Sequence, residues 1–202
     1  MNFLIAILLW SLFGFVHSFM ARPYFKKKIN KFFGNVFEKH FYRFIYFLSQ
    51  CVLFYFLYGI IKNIEYGEVL FTIPERFKGA YYLFYILSNL FLIISVLQFN
   101  VAEFIGVKQL VCFFKKSKKN DKQSLNRSFL YRYIRHPMYL GILMVYISSH
   151  TIFTQLFFIN LICITFYIEI GSYYEEKTLI KKFGENYKKY QLSTFKYLPF
   201  LR

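Results

Sequence analysis

Residues 79–99, GAYYLFYILSNLFLIISVLQF, run for 21 residues without a charge. At 1.5 Å per residue such a helix measures about 31 Å, which matches the hydrocarbon thickness of a bilayer. Outward from it, residues 3–20 (FLIAILLWSLFGFVHSFM) and 44–61 (FIYFLSQCVLFYFLYGII) are equally free of charge, so three membrane-spanning helices are expected. A fourth apolar stretch, 138–168, would be about 46 Å long as one helix, too long for a single upright crossing. Its polar break Ser148-Ser149-His150-Thr151 predicts two shorter helices, 138–147 and 152–170, in a hairpin or partly re-entrant pair. The expected fold class is therefore all-α: a polytopic integral membrane protein of about five transmembrane helices including a C-terminal helical hairpin, plus a cytoplasmic C-terminal helix. Residues 1–202 are expected to form one integral domain.

Composition agrees with a lipid environment. Of the 202 residues 57% are hydrophobic and 24% aromatic, against about 45–50% apolar in soluble domains. The net charge of +16 does not point to nucleic acid, because the basic residues are gathered between apolar runs rather than on a soluble binding fold. Segments 21–43, 100–137 and 172–202 hold seven, nine and seven of the 26 Lys and Arg residues, whereas 62–80 is balanced at three of each sign. The positive-inside rule then places the three basic segments in the cytoplasm, beside anionic membrane lipids, and 62–80 outside. The N-terminus is expected outside and the C-terminus inside, in a bacterial inner membrane. This parity requires an even number of crossings over 138–170, which favours the hairpin.

Cys51 and Cys163 lie inside apolar runs and Cys112 opens a basic loop, a pattern of packed thiols rather than of a disulfide framework. No cysteine–histidine cluster has zinc spacing, and no glycine-rich phosphate loop is present. The N-terminal run has no basic region before it and Arg22 with a lysine cluster after it, so it reads as a retained span rather than a secretory signal. Loop 115–127 (KKSKKNDKQSLNR) is a solvated charge run with no chemistry of its own.

Two constellations carry chemistry. In Tyr131-Arg132-Tyr133-Ile134-Arg135-His136-Pro137-Met138-Tyr139-Leu140-Gly141, Pro137 biases His136 to an extended conformation and suits the first turn of the following helix. Arg135 then offers a planar fork, His136 a donor or acceptor near neutral pH, and Tyr139 a ring with a hydroxyl, all at the helix mouth. The same residues would also serve as an interfacial Arg/Tyr anchor. The second constellation is Glu169, Glu175-Glu176-Lys177-Thr178-Leu179 and Phe183-Gly184-Glu185-Asn186-Tyr187-Lys188-Lys189-Tyr190. Adjacent glutamates sit about 100° apart on a helix, so one of them is expected to face inward. Carboxylates at the membrane edge tend to be functional, and a cationic sulfonium ligand would occupy them and the aromatics. The alternative is a solvated terminal helix paired to Lys177, Lys181 and Lys182.

The run RHPMYLG, followed about 35 residues later by EEKTLIKKFGENYKKY and then Pro199, resembles the R-H-P-x-Y-x-G … E-E-x-x-L-x-x-x-F-G-x-x-Y-x-x-Y … P pattern of the isoprenylcysteine carboxyl methyltransferase family. The resemblance implies an all-helical membrane enzyme that binds S-adenosylmethionine at the cytoplasmic face, with the C-terminal helix closing over it. It implies that His136, Pro137, Tyr139, Glu175, Glu176, Tyr187 and Tyr190 line the cofactor site and that Arg135 touches cofactor or substrate. Val16-His17-Ser18-Phe19-Met20-Ala21-Arg22-Pro23 and Gly106-Val107-Lys108-Gln109 resemble the bacterial methanethiol S-methyltransferase branch. Where that branch has a histidine and an aspartate before the glycine, this chain has Val101 and Glu103.

Methyl transfer from a sulfonium is an in-line displacement that needs aligned donor and acceptor and no covalent intermediate. For a thiol the thiolate is the nucleophile, and a basic site around Arg135 and His136 would favour it. The expected acceptor is a small or lipophilic thiol such as methanethiol, with His17 a substrate-site candidate or a polar residue bonded to a neighbouring span. The alternatives are a prenyl-cysteine carboxylate or lipid amine as acceptor, and a non-catalytic accessory protein.

Overall fold

The computed structural model describes residues 2–98, 100–116, 125, 127 and 129–198. Most of loop 115–127, and Pro199, lie outside the described residues. Four helices among the described residues are long and apolar enough to cross a membrane: Phe3–Ala21, Tyr42–Ile61, Glu75–Leu97 and Gln155–Phe183, with Pro137–Ser148 a shorter apolar helix. This is the helical architecture of a polytopic membrane protein. The chain divides into two compact units, Met1–Ile64 with Asn100–Gln123, and Glu65–Phe99 with Ser124–Arg202.

In the first unit, α1 (Asn2–Ala21) and α3 (Tyr42–Ile61) flank the basic helix α2 (Pro23–His40). Tyr42 OH donates to the Met20 carbonyl, and Tyr46 OH to the His17 carbonyl at 3.3 Å, so the end of α1 meets the start of α3. The two short helices α5 (Val101–Phe104) and α6 (Val107–Phe114) follow. Asn100 caps α5 by accepting from Glu103 N at 3.0 Å. Gly106, at φ +93, sets the entry to α6 against α3: a Cβ there would stand 2.5 Å from Phe44 N. No side chain other than hydrogen fits that approach.

In the second unit, α4 (Lys78–Leu97) packs along α7 (Pro137–Ser148). Close approach rests on small residues: Ser88 and Ser95, both fully buried, bond back to the Phe84 and Phe91 carbonyls at 2.7 Å. A Cβ on Gly141 would lie 3.0 Å from Leu92 Cα. Small residues that let backbones approach are the usual means of helix association in lipid. Tyr81 OH donates to the Ile147 carbonyl at 2.6 Å near the far end of the pair.

Two features depart from the expected elements. The loop after α3 contributes β1 (Val69–Thr72), which pairs antiparallel with β2 (Ile152–Thr154). The helix expected over 152–170 therefore begins later, because β-branched Ile152 and Thr154 lie in extended chain and Thr154 caps α8 by accepting from Phe157 N at 3.2 Å. Helix α8 (Gln155–Phe183) then runs past residue 170 without a break. At about 43 Å it exceeds a hydrocarbon core, and Glu175 and Glu176 ride on the extension of this hydrophobic helix. A short α9 (Glu185–Ser193) follows the turn at Gly184.

Candidate functional site

Every fourth residue of α8 from Leu156 onward, Asn160, Ile164, Ile168 and Ser172, is buried, and the next member of that row is Glu176. The buried face of the helix thus carries Glu176 inward and leaves its neighbour Glu175, about 100° around, at the surface. Side-chain exposures of 15% and 42% express the difference.

Opposite stands the start of α7. Pro137 opens the helix and His136 precedes it at φ −125, ψ 58, so Arg135 and His136 are presented beyond the helix mouth. Their backbone is fixed by the chain beyond α9. Arg135 N donates to the Phe195 carbonyl at 2.8 Å, His136 N to the Lys196 carbonyl at 3.2 Å, and Phe195 N to the Tyr133 carbonyl at 2.9 Å.

Both oxygens of Glu176 meet protein groups. Its Oε1 accepts from Arg135 Nε at 2.7 Å and lies 3.0 Å from His136 Nε2, while Oε2 accepts from Gln191 Nε2 at 2.8 Å. Arg135 in turn donates through Nη1 to the Gln191 carbonyl at 3.0 Å and the Thr194 carbonyl at 2.6 Å. Through Nε and Nη1 the guanidinium thus ties a carboxylate to two helix-end carbonyls. Glu175 differs: its Oε2 accepts from Tyr139 OH at 2.8 Å and lies 3.7 Å from His136 Nδ1, and the rest of the carboxylate faces outward.

Aromatic rings frame His136. Tyr139 stacks on it at 5.3 Å between centroids, and Tyr197 leans on it at 5.9 Å. Tyr197 OH donates to Ser172 Oγ at 2.9 Å, and Lys196 pairs with Glu169. Tyr187 and Tyr190 lie behind this layer, both buried, with rings 5.7 Å apart. Tyr190 OH donates to the Tyr131 carbonyl at 2.5 Å. Burial pushes the Tyr190 phenol up to about 12, and raises Tyr187, Tyr131 and Tyr197 as well, so these hydroxyls keep their protons and act as donors.

The structure therefore brings together Arg135, His136, Pro137, Tyr139, Glu175, Glu176, Tyr187 and Tyr190. His17 belongs to the first unit, its ring stacked with Phe13 at 6.1 Å and tilted on Tyr46 at 5.6 Å. Sequence reasoning missed Gln191, Thr194, Lys196 and Tyr197, which lie beyond the matched blocks. It also missed Ser172, although its place one turn before Glu176 in the buried row is a readable signal. Glu169, a candidate at the membrane edge, is occupied by Lys196.

What the arrangement offers chemically is an outward carboxylate on a rigid floor, an adjacent imidazole and an aromatic wall. These are acceptors and π-faces suited to a cationic ligand with several N–H and O–H donors. Among the described residues no group of three or more His, Cys, Asp or Glu could hold a metal ion.

Residues 83–186, which contain all of α7 and α8, match the phospholipid methyltransferase family. Along nearly its full length the chain is similar to curated methanethiol S-methyltransferases. It is 31% identical to that of Pseudomonas deceptionensis over 98% of this chain and 73% of the relative. It is 28% identical to methanethiol S-methyltransferase 1 of Bradyrhizobium diazoefficiens over 98% and 67%, and 25% identical to that of Crocosphaera subtropica over 98% and 75%. No solved structure matches the chain.

Proposed function

This chain belongs to the phospholipid methyltransferase family and is an S-adenosylmethionine-dependent membrane methyltransferase, and from that premise we propose that it methylates the sulfur of a small thiol such as methanethiol. The observation that carries the acceptor is the extent of the likeness: it covers 98% of the chain, including the first unit, and does not stop at the matched segment 83–186.

The cluster around His136 is the site we assign. S-adenosylmethionine supplies an electrophilic methyl group on a sulfonium sulfur. Glu175 accepts hydrogen bonds from the ligand's donors, and Tyr139 and Tyr197 give an aromatic wall beside it. Pro137 fixes the start of α7, and with it the position of Tyr139. His136, within reach of both carboxylates, receives or stabilises the proton that the thiol must lose before its sulfur attacks. Arg135 and Glu176 act as positioning residues, since each bonds to the other and to the chain around Gln191. Tyr187 and Tyr190 back the floor. His17, in the first unit, is the candidate for acceptor contact.

The topology that fits this reading has the N-terminus outside and the C-terminus with the site in the cytoplasm, in a bacterial inner membrane. Helices α7 and α8 form a hairpin that makes the fourth and fifth crossings or a partial re-entry. It is supported by the pairing of β1 with β2, which joins the balanced 62–80 loop to the turn between α7 and α8, at the end of α7 opposite His136.

The test is incubation of purified protein in lipid nanodiscs with methyl-labelled S-adenosylmethionine and parallel panels of short alkyl thiols, prenyl-cysteines and amine lipids. Label should appear in a thioether, and across several short thiols, because one methylene changes discrimination by only about 1–3 kcal/mol. Label confined to a carboxyl ester or an N-methyl product would overturn the thiol assignment.

A further inference from the structure

Helix α2 has no buried residue, yet it links two membrane-length helices whose adjoining ends touch. A straight helix of 18 residues would carry the chain about 27 Å away from that junction. Gly34, at φ 83 and ψ 166, interrupts it and turns the chain back, and Asn30 Nδ2 reaches Glu38 Oε2 at 3.3 Å across the bend. In an unbroken helix residues eight apart are separated by about 12 Å along the axis.

The limb before the bend is amphipathic. Phe25 and Ile29 lie half-buried on the protein side, whereas Lys27, Lys28 and Lys31 are exposed. At the tip Phe32 is 76% and Phe33 63% exposed, an apolar pair largely open to its surroundings although Phe33 stacks on Phe37 at 5.0 Å between centroids. From Arg22 to Lys31 there are five cations and no acid. Exposed aromatics beside exposed lysines, at the level where two spans leave the bilayer, match the pattern of a helix lying in the membrane interface.

We propose that α2 is an in-plane membrane-reading element whose partner is the anionic phospholipid surface: Lys27, Lys28 and Lys31 engage headgroup phosphates while Phe32 and Phe33 enter the acyl boundary. Charge complementarity selects this occupant over a second copy of the chain, which would oppose five cations with five. The proposal rests on the membrane-spanning fold and is independent of the methyl acceptor.

The full chain carrying W10F and F33W has its one tryptophan at the tip of α2, since the natural chain has a single Trp. It is reconstituted in nanodiscs of phosphatidylcholine with phosphatidylglycerol, with bromine on the acyl chains of one lipid or the other at equal mole fraction. Brominated phosphatidylglycerol should quench the tip more strongly than brominated phosphatidylcholine, and the difference should shrink when salt shortens the screening length. Each lysine near an anionic surface contributes about fivefold in affinity, so adding K27Q, K28Q and K31Q should abolish the lipid preference while leaving methyl transfer in pure phosphatidylcholine unchanged. Equal quenching by both lipids before the lysines are changed would overturn the proposal without touching the methyltransferase reading. So would a tip that neither lipid quenches, or one shielded by a second copy in cross-linking.

Discussion

Arg135 Nε donates to Glu176 Oε1 at 2.7 Å across 41 residues of sequence, and this contact divides the labour of the glutamate pair. With Gln191 on its other oxygen, Glu176 is held on both oxygens by protein groups, whereas Glu175 is held on one oxygen by Tyr139 and His136 and remains exposed. Glu176→Gln should lower thermal stability, by about 3 kcal/mol, because it leaves a largely buried guanidinium without its counter-charge. Glu175→Gln should leave the melting temperature nearly unchanged and weaken S-adenosylmethionine about ten- to a hundredfold through loss of a charge-assisted hydrogen bond. Scanning fluorimetry and a cofactor titration on both variants separate the roles. Normal cofactor binding by Glu175→Gln would remove that residue from the site.

Two glycines make opposite predictions. Gly106→Ala places a methyl 2.5 Å from Phe44 N at a positive φ, so it should cost at least about 2 kcal/mol and disturb the packing of α6 on α3. Gly171→Ala adds a methyl where nothing lies within 4 Å in a helix interior, and should stabilise by about 0.5–1 kcal/mol. Thermal unfolding of the two proteins side by side is the check, and a neutral Gly106→Ala would contradict the close approach of α6 to α3.

The sequence disclosed what depends on local pattern and withheld what depends on distant partners. Charge-free runs gave the spans, and Pro137 gave the start of α7, because chain length and the proline ring decide both locally. The adjacency of the glutamates showed that one must turn inward, but choosing Glu176 required the four-residue buried row and Gln191. The β1–β2 pair joins segments some 80 residues apart, and its Val69–Thr72 strand is too short to stand out. Charge marked residue 170 as a boundary that the backbone ignores, since Gly171 through Phe183 contains no proline and is compatible with helix. The reversal at Gly34 had no signal beyond a glycine within an amphipathic stretch.

Alkaline pH should expose the buried tyrosine layer. Burial holds the folded Tyr190 at about 12 against an ordinary 10.0. The unfolded chain therefore loses this proton first, and the group's contribution to stability is complete below about pH 10 and declines as pH rises through about 12. Tyr187, Tyr131 and Tyr197 shift in the same direction. Chemical unfolding as a function of pH should show stability falling over that window. Tyr190→Phe should flatten part of the fall while costing about 1–3 kcal/mol at neutral pH, since the buried Tyr131 carbonyl loses its donor. An unchanged slope would mean that the phenol titrates freely.

The orientation can be read by labelling, and it bears directly on the site. The exposed residues near Gly67 belong to the segment with balanced charge, and Lys115 to the most basic one. In a variant whose native cysteines are replaced, a thiol introduced at position 67 should react with a membrane-impermeant reagent added to intact cells, while one at position 115 should react only after permeabilisation. A third thiol in place of Lys188, on the exposed side of α9, should behave like position 115, because α9 is tied through Gln191 to Glu176 and so shares the side of the membrane on which S-adenosylmethionine is made available. Position 188 reacting in intact cells would put the His136 cluster outside, where a cytoplasmic methyl donor cannot reach it, and the assignment of that cluster as the cofactor site would fail with the topology.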